Sequence, residues 1–197
     1  VFARIEDDKN LTGFIVEKDM ENGISMGDEE KKLGIHSSST RQVYFEETKV
    51  PVENILGGRN GGFKIAMNAL NVGRIKLAAA CLDAQRRVIG SAVQYATDRV
   101  QFKTPIVKFG AIRQKLAEMA TNAYADEAAS YRAAKNIDDR INIRLENGSS
   151  HQEAELKAFE EFAIESSMLK VAVSENLQDC TDEGIQIYGG MGFSADT

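Results

Sequence analysis

The clearest pattern in the sequence is a helical spacing of apolar residues between positions 60 and 102. The segment opens with Asn-Gly-Gly, and no proline interrupts it before Pro105. Its apolar residues follow one another at intervals of three or four: Leu77, Cys81, Ala84, Val88, Ala92 and Tyr95. Because an α-helix turns once in about 3.6 residues, these side chains share one helical face. The pattern predicts one long amphipathic helix around which the rest of the chain is organised.

Two more helices are predicted after Pro105. The first runs from residue 109 to about residue 143, with Ile112, Leu116, Met119 and Ala123 on one side. Ser150 followed by Glu153 matches a capping box, which begins the next helix. That helix reaches about residue 184 and carries the apolar residues Leu156, Phe159, Ala163, Leu169, Val173 and Leu177. Three long helices with short connections predict most of an antiparallel up-and-down bundle, with one wall missing.

Short strand-like segments precede the long helix. Residues 1–6 and 12–17 flank the turn-forming residues 7–10, which together predict a β-hairpin. Asn22–Gly23 has the composition of a second turn. Residues 42–46 alternate apolar and polar side chains, which predicts a further strand.

The β pattern ends at Val50–Pro51, because proline cannot donate a hydrogen bond to a strand ladder. Gly57 and Gly58 then lie in a polar linker that leads into the long helix. We therefore predict an α+β chain. Residues 1–56 form its strand-rich part, and residues 57–197 form an incomplete antiparallel helical bundle.

Composition narrows the class of protein. The chain has 197 residues and a net charge of -6, which argues against a nucleic-acid backbone as the main partner. Its two cysteines are far apart in helical patterns and are expected to be buried thiols. No run of about eighteen apolar residues predicts a membrane span. The chain opens inside a strand-like segment and closes inside a glycine motif, so we expect a piece of a longer protein.

Few residues suggest chemistry on their own. The sequence has two histidines and no Ser-His-Asp order, zinc-protease motif or phosphate-cradling glycine loop. Arg74 interrupts an apolar and small-residue stretch, where a cation needs a partner unless its side chain reaches the surface. Glycines at positions 189, 190 and 192 either cap a helix or let the backbone approach a ligand.

An ordered series of motifs resembles the acyl-CoA dehydrogenase family. The motifs extend over essentially all of the chain. They are Lys32-Leu33-Gly34-Ile35-His36-Ser37-Ser38-Ser39-Thr40, Val43-Tyr44-Phe45, Val50-Pro51, Asn54-Ile55-Leu56-Gly57, Gly62-Phe63-Lys64, Gly73-Arg74, Asp98-Arg99-Val100-Gln101-Phe102 and Gln186-Ile187-Tyr188-Gly189-Gly190-Met191-Gly192-Phe193. Single matches of this kind are weak, but the ordered series is specific.

The resemblance implies an FAD enzyme that removes two hydrogens from an acyl-CoA thioester in fatty-acid β-oxidation and passes electrons to an electron-transfer flavoprotein. It implies a homo-oligomer, a dimer or a tetramer, located in the cytoplasm of a bacterium or in the mitochondrial matrix. Residues 1–56 would be the end of the family's middle β domain, which is barrel-like or sandwich-like. Residues 57–197 would be its C-terminal helical domain. Two alternatives share the fold: an acyl-CoA oxidase and a non-catalytic assembly factor.

The resemblance also assigns site residues. Two sets match family positions for cofactor and substrate. The cofactor set, led by the arginine that meets the FAD pyrophosphate of a neighbouring subunit, is Arg99, Gln101, Phe102, Ile106, Phe109, Gln186 and Gly190. The substrate set on the CoA side is Asn71 and Arg74. The family's catalytic glutamate has no counterpart here: Gly73 occupies one of its two known positions, and the other is expected after the last residue. Phe109-Gly110, Met191 and the stretch around Gly73 resemble the very-long-chain branch.

Overall fold

The computed structural model describes residues 1–18 and 23–195, which fall into two compact units, Val1–Met67 and Asn68–Thr197. Short strands come first and long helices follow, so the predicted α+β class with a helical bundle is confirmed. The division between the units falls within the first turns of the long helix. The domain boundary at residues 56 and 57 stays a prediction.

The first unit contains two small antiparallel sheets. In one sheet, β1 (Phe2–Ala3) pairs with β2 (Thr12–Phe14), which confirms the predicted hairpin, and β2 pairs with β5 (Ile55–Leu56). In the other, β3 (Ile24–Glu29) pairs with β4 (Arg41–Phe45), which is the further strand that the sequence predicts. A 3-10 turn at Val52–Asn54 leads directly into β5.

The predicted turn at Asn22–Gly23 is only half within the described residues, because Asn22 lies outside them. Gly23 has a φ of 74°, a left-handed conformation that favours glycine. A Cβ at this position would lie 2.0 Å from the carbonyl oxygen of Glu46. Glycine is therefore required where the chain enters β3.

Hydrogen bonds in the first unit join its start to the residues before the long helix. The buried Thr12 hydroxyl accepts from the Asn60 amide at 2.9 Å, and the Gly62 amide donates to the Leu11 carbonyl at 2.8 Å. Arg59 donates two bonds to the Asp8 carboxylate and lowers the pKa of that carboxyl group. Each contact links residues about fifty positions apart, so the first sheet and residues 59–62 at the start of the long helix fold together.

The second unit is built from the helices α1 (Gly62–Asp98), α2 (Gly110–Glu146), α3 (His151–Glu161) and α4 (Ala163–Tyr188). The first turns of α1 belong to the first unit. At roughly 1.5 Å per residue, α1 and α2 are each about 55 Å long. α2 runs antiparallel to α1 and α4, since Gln85 and Asn176 both bond to Asp126, whereas Met119 packs with Ala96 and Ile187.

The prediction of the third helix is wrong in one respect: the segment forms two helices that meet at Phe162. This residue has φ -97° and ψ 25°, outside regular helical geometry, although its amide still donates to the Ala158 carbonyl at 3.2 Å. The regular helix is interrupted here without a glycine or a proline. The predicted capping box is present on the serine side, because the Ser150 hydroxyl accepts from the Glu153 amide.

Two apolar clusters form the core of the bundle. One contains Ala78, Cys81, Leu82, Ala133, Leu169 and Val173, and the other contains Ala92, Ala96, Met119, Cys180 and Ile187. The predicted inward face of α1 is only partly right, because Leu77 is 43% exposed. Asn71 and Gln85 are buried instead. Polar side chains take these inward positions because hydrogen bonds across the bundle hold them.

A buried carboxylate joins the three long helices. Asp126 of α2 accepts a hydrogen bond from the Gln85 side chain of α1 at 2.7 Å and another from the Asn176 side chain of α4 at 2.8 Å. Asp126 is 5% exposed. A buried carboxylate is tolerated only when donors satisfy it, so these three residues fix the register of the helices.

By length and composition, α1 is the one helix among the described residues that is long and apolar enough to cross a membrane. Residues of α1 pack against α2 and α4 in both apolar clusters. The cysteines Cys81 and Cys180 are free and buried, as predicted, and burial raises the pKa of both thiols.

Candidate functional site

A tight hairpin follows the end of α1. The Arg99 amide donates to the Tyr95 carbonyl at 2.9 Å, which closes the last helical turn. Strand β6 (Val100–Gln101) then pairs with β7 (Thr104–Pro105), and only Phe102 and Lys103 form the loop between them. Both loop residues have positive φ values, 52° and 62°, as a two-residue hairpin turn of type I′ requires.

The loop is strained by its residue types. Asparagine and glycine are the usual residues in such turns, because a bulky L-residue at positive φ is unfavourable by about 1 kcal/mol or more. Phe102 is also 83% exposed, so its ring gains no burial that would offset this strain. An exposed aromatic ring on a strained turn is typical of a residue kept for a contact outside the chain's own core.

The end of α4 lies beside this hairpin. Gly189, the residue after the helix, has φ 58° and ψ -132°, a conformation open only to glycine, and its amide donates to the Gln186 carbonyl. A short 3-10 helix, Gly189–Phe193, follows. The conformation of Gly189 ends α4 with a sharp turn of the chain. It leaves the backbone of Gly189 and Gly190 exposed.

A cavity of about 360 Å³ lies where these two chain reversals meet. Four of the residues predicted for the cofactor line it together: Arg99, Gln101, Ile106 and Gly190. The Ile106 amide donates to the Arg99 carbonyl at 2.9 Å, which ties the two sides of the hairpin together next to the cavity. The remaining walls come from Tyr95, Ile187, Tyr188, Gly189 and Met191.

Arg99 gives the cavity its electrostatic character. Its side chain is exposed, and within residues 1–18 and 23–195 it has no ion pair and no side-chain hydrogen bond. No Asp or Glu among the described residues lines this cavity. A guanidinium without a partner, beside an amide side chain and a glycine backbone, suits an anion with several oxygens such as a phosphate or diphosphate.

Three predicted cofactor residues lie outside the cavity lining. Phe102 is at the tip of the hairpin, Phe109 precedes the first residue of α2, and Gln186 is exposed on the last turn of α4. The cavity therefore brings together one part of the predicted set. The roles of all seven residues stay predictions.

The two predicted substrate residues contact each other. Arg74 Nη1 donates to Asn71 Oδ1 at 2.8 Å, and Asn71 Nδ2 donates to the Phe159 carbonyl at 3.5 Å. Asn71 is buried and Arg74 is half-buried. The partner of Arg74 is thus a neutral amide, and no acidic group among the described residues neutralises its charge. Its remaining donors are left for an anionic or carbonyl group.

Sequence reasoning misses part of the cavity wall. The sequence predicts Tyr95 only as a packing residue of α1, and it assigns no separate role to Ile187 or Tyr188. Tyr188 stands in the Gln186–Phe193 motif, next to the glycines that the sequence does single out, and this position is the signal that could identify it. Among the described residues, no group of three or more His, Cys, Asp or Glu side chains is arranged to hold a metal ion.

Comparison with known proteins identifies the family. The sequence profile described as "Acyl-CoA dehydrogenase, C-terminal domain" matches residues 60–197. A probable acyl-CoA dehydrogenase of Bacillus subtilis is 42% identical over 193 residues, which is 98% of this chain and 32% of that protein. The mitochondrial very long-chain specific acyl-CoA dehydrogenase of Rattus norvegicus is 40% identical over 94% of this chain and 25% of its own length.

The structural comparison agrees. The crystal structure of an acyl-CoA dehydrogenase complexed with FAD from Bacillus anthracis superimposes with a TM-score of 0.87 at 42% identity. The match covers all of this chain and 34% of that one. The chain belongs to the acyl-CoA dehydrogenase family, and the predicted resemblance is confirmed. It spans about a third or less of the length of these relatives.

Proposed function

We propose that this chain forms the part of an FAD-dependent acyl-CoA dehydrogenase that binds the diphosphate of the flavin cofactor. The observation that carries the proposal is the Arg99 guanidinium, which has no partner among the described residues and lines a cavity with Gln101 and Gly190. Relatives of this family include an enzyme that was crystallised with FAD. A fixed positive charge next to exposed backbone is the chemistry that a diphosphate needs.

The glycines of the cavity fit a ligand of this kind. A Cβ at Gly190 would meet no protein atom within 4 Å, and the φ of Gly190 is not in the left-handed region. Neither the packing of the described residues nor the backbone conformation therefore requires glycine at this position. Close approach of a bulky anion to the backbone is a reason that remains.

The chain's own residues would bind and orient the cofactor. Arg99 would hold the diphosphate by charge-assisted hydrogen bonds, and the Gln101 amide would supply a further donor. Ile106 and Ile187 would shield one side of the cavity from water. FAD, when bound, supplies the acceptor for the hydride that leaves the acyl chain. No described residue of the cavity is a carboxylate, so the base that removes the α proton is proposed to lie elsewhere in the whole protein.

The Asn71–Arg74 pair is proposed to face the CoA and thioester part of the substrate. Arg74 keeps donors free beyond its bond to Asn71, and its charge is not neutralised by a described acid. We propose a long-chain acyl-CoA as substrate, and the 40% identity to the very long-chain specific enzyme of Rattus norvegicus supports this choice. Electron transfer to an electron-transfer flavoprotein in the cytoplasm or the mitochondrial matrix follows as part of the same proposal.

A homo-oligomer, either a dimer or a tetramer, is also proposed. The exposed Phe102 ring on its strained turn supports it, since such a residue is explained by a contact with a neighbouring subunit or with that subunit's cofactor. Arg99 precedes this turn and would reach the same cofactor. A second copy of the chain would thus complete the site.

The whole protein that contains this chain provides the test of activity. Its visible spectrum is recorded without oxygen, before and after addition of palmitoyl-CoA or butyryl-CoA. Bleaching of the flavin band by palmitoyl-CoA supports the proposal, and faster bleaching by butyryl-CoA would replace the long-chain assignment with a short-chain one. Reoxidation by oxygen rather than by an electron-transfer flavoprotein would identify an oxidase. A protein without flavin would support the assembly-factor alternative.

A further inference from the structure

Two tyrosines from different helices stack beside the cavity. The ring centroids of Tyr95 on α1 and Tyr188 on α4 are 4.1 Å apart, and the ring planes differ by 14°. Both side chains are half-buried, and both line the cavity that contains Arg99. We call this pair the tyrosine clasp.

Each tyrosine also donates a hydrogen bond to the backbone of the opposite helix. The Tyr95 hydroxyl donates to the Tyr188 carbonyl at 3.2 Å, and the Tyr188 hydroxyl donates to the Ser91 carbonyl at 3.4 Å. The Tyr188 carbonyl belongs to the last residue of α4, which is also the residue before the 3-10 helix Gly189–Phe193. The clasp therefore joins α1 and α4 by two crossed hydrogen bonds as well as by stacked rings.

The backbone at both ends of the clasp continues directly into the cavity wall. The Tyr95 carbonyl accepts from the Arg99 amide, so Tyr95 sets the last turn before the arginine. Tyr188 is followed at once by Gly189 and Gly190. A shift of either ring would change the distance between the Arg99 side chain and the glycine backbone.

We propose that Tyr95 and Tyr188 are positioning residues, which hold Arg99 and the Gly189–Gly190 backbone at the separation that a diphosphate requires. This inference rests on the proposed function of the cavity. Simple packing would need only the aromatic rings, and phenylalanine would supply those. The hydroxyl groups add hydrogen bonds, which constrain direction as well as distance. These bonds fix the end of α4 relative to the end of α1.

The test uses the variants Tyr95→Phe and Tyr188→Phe, which keep the stacked rings and remove one hydroxyl each. Tyr124→Phe is the matched control, since Tyr124 is exposed on α2 and away from the cavity lining. ADP, which carries the diphosphate, is titrated by calorimetry into the whole protein after its flavin has been removed. Loss of one hydrogen bond is expected to weaken ADP binding about fivefold in each clasp variant and to leave the control unchanged.

Hydrogen exchange supplies a reading that does not depend on ADP. The amides of residues 189–192 are expected to exchange faster in both clasp variants, while the amides of α2 and α3 keep their wild-type rates. If the amides of residues 189–192 exchange at the wild-type rate in the clasp variants, the proposal is overturned. An equal loss of protection throughout the bundle would also overturn it, because it would indicate a purely structural role for the two tyrosines. If wild-type protein fails to bind ADP, the proposed function is refuted, and the exchange data still decide whether the clasp positions this backbone.

Discussion

A methyl group added at Gly184 tests how closely α1 and α4 approach each other next to the cavity. Gly184 is buried on α4, one turn before Tyr188. A Cβ at this position would lie 2.8 Å from Val88 Cγ1 on α1, which is closer than real Cβ contacts. Gly90 of α1 is the matched control, because a Cβ there would meet nothing within 4 Å.

The expected energies follow from two opposing terms. Glycine to alanine inside a helix stabilises the folded state by about 1 kcal/mol when space is open. At Gly184 this gain is opposed by overpacking, which costs about 1 to 3 kcal/mol. Val88 is β-branched and has essentially one χ1 rotamer in a helix, so it cannot rotate out of contact. We expect Gly90→Ala to stabilise the chain by about 1 kcal/mol and Gly184→Ala to destabilise it by up to about 2 kcal/mol.

Urea unfolding followed by circular dichroism measures both values, and a double-mutant cycle isolates the contact. In a Val88→Ala background the clashing Cγ1 atom is gone, so Gly184→Ala is expected to become neutral or stabilising. The difference between the two backgrounds is the coupling energy, expected to be at least about 1 kcal/mol. If Gly184→Ala stabilises the wild-type chain as much as Gly90→Ala does, the close approach of α1 and α4 is refuted.

Three further predictions concern other parts of the molecule. Asp126→Ala is expected to destabilise the bundle by about 3 kcal/mol in urea unfolding, because it leaves the amide donors of Gln85 and Asn176 without an acceptor inside the bundle. The control Asp138→Ala, on the exposed side of α2, should change the free energy of unfolding little. Cys81 and Cys180, whose pKa values are raised by burial, should react with Ellman's reagent only in urea; fast reaction in native protein would contradict their burial. Hydrogen bonds from Ser39, then the Thr40 amide and Arg41, lower the pKa of Glu29 to about 2. Since this folded-state value is below the ordinary 4.5, the stabilisation is present above pH 4.5 and is lost as pH falls towards 2; a carboxyl titration by NMR with a midpoint near 4.5 would refute it.

The helices can be predicted from the sequence because helical periodicity is a local signal. The bounds of α2 and the presence of α1 follow from spacing and from the absence of proline. The break between α3 and α4 at Phe162 cannot be predicted in this way, because no glycine or proline marks it. The predicted buried face of α1 rests on apolar residues alone. It therefore omits Gln85, whose burial depends on Asp126, which lies 41 positions away.

The candidate site likewise has one part that the sequence predicts and another part that depends on packing. Motifs in the sequence assign Arg99, Gln101 and Gly190, and the structure brings them to one cavity. The positive φ values at Phe102 and Lys103 have no local sequence signal, since the usual asparagine and glycine are absent. Tyr188 is part of the wall because α4 packs parallel to α1 with its end beside Tyr95. Such a contact depends on the packing of residues that are 93 positions apart in the chain.

Binding of ADP to Arg99 variants tests the central claim most directly. Calorimetric titrations of the flavin-free whole protein compare the wild type with Arg99→Ala, with Arg99→Lys and with Arg132→Ala, in which an exposed arginine of α2 outside the cavity is removed. Loss of charge-assisted hydrogen bonds is expected to weaken binding about tenfold or more in Arg99→Ala and less in Arg99→Lys, with Arg132→Ala unchanged. Equal ADP affinity in Arg99→Ala and wild-type protein would contradict the assignment of this cavity to a diphosphate.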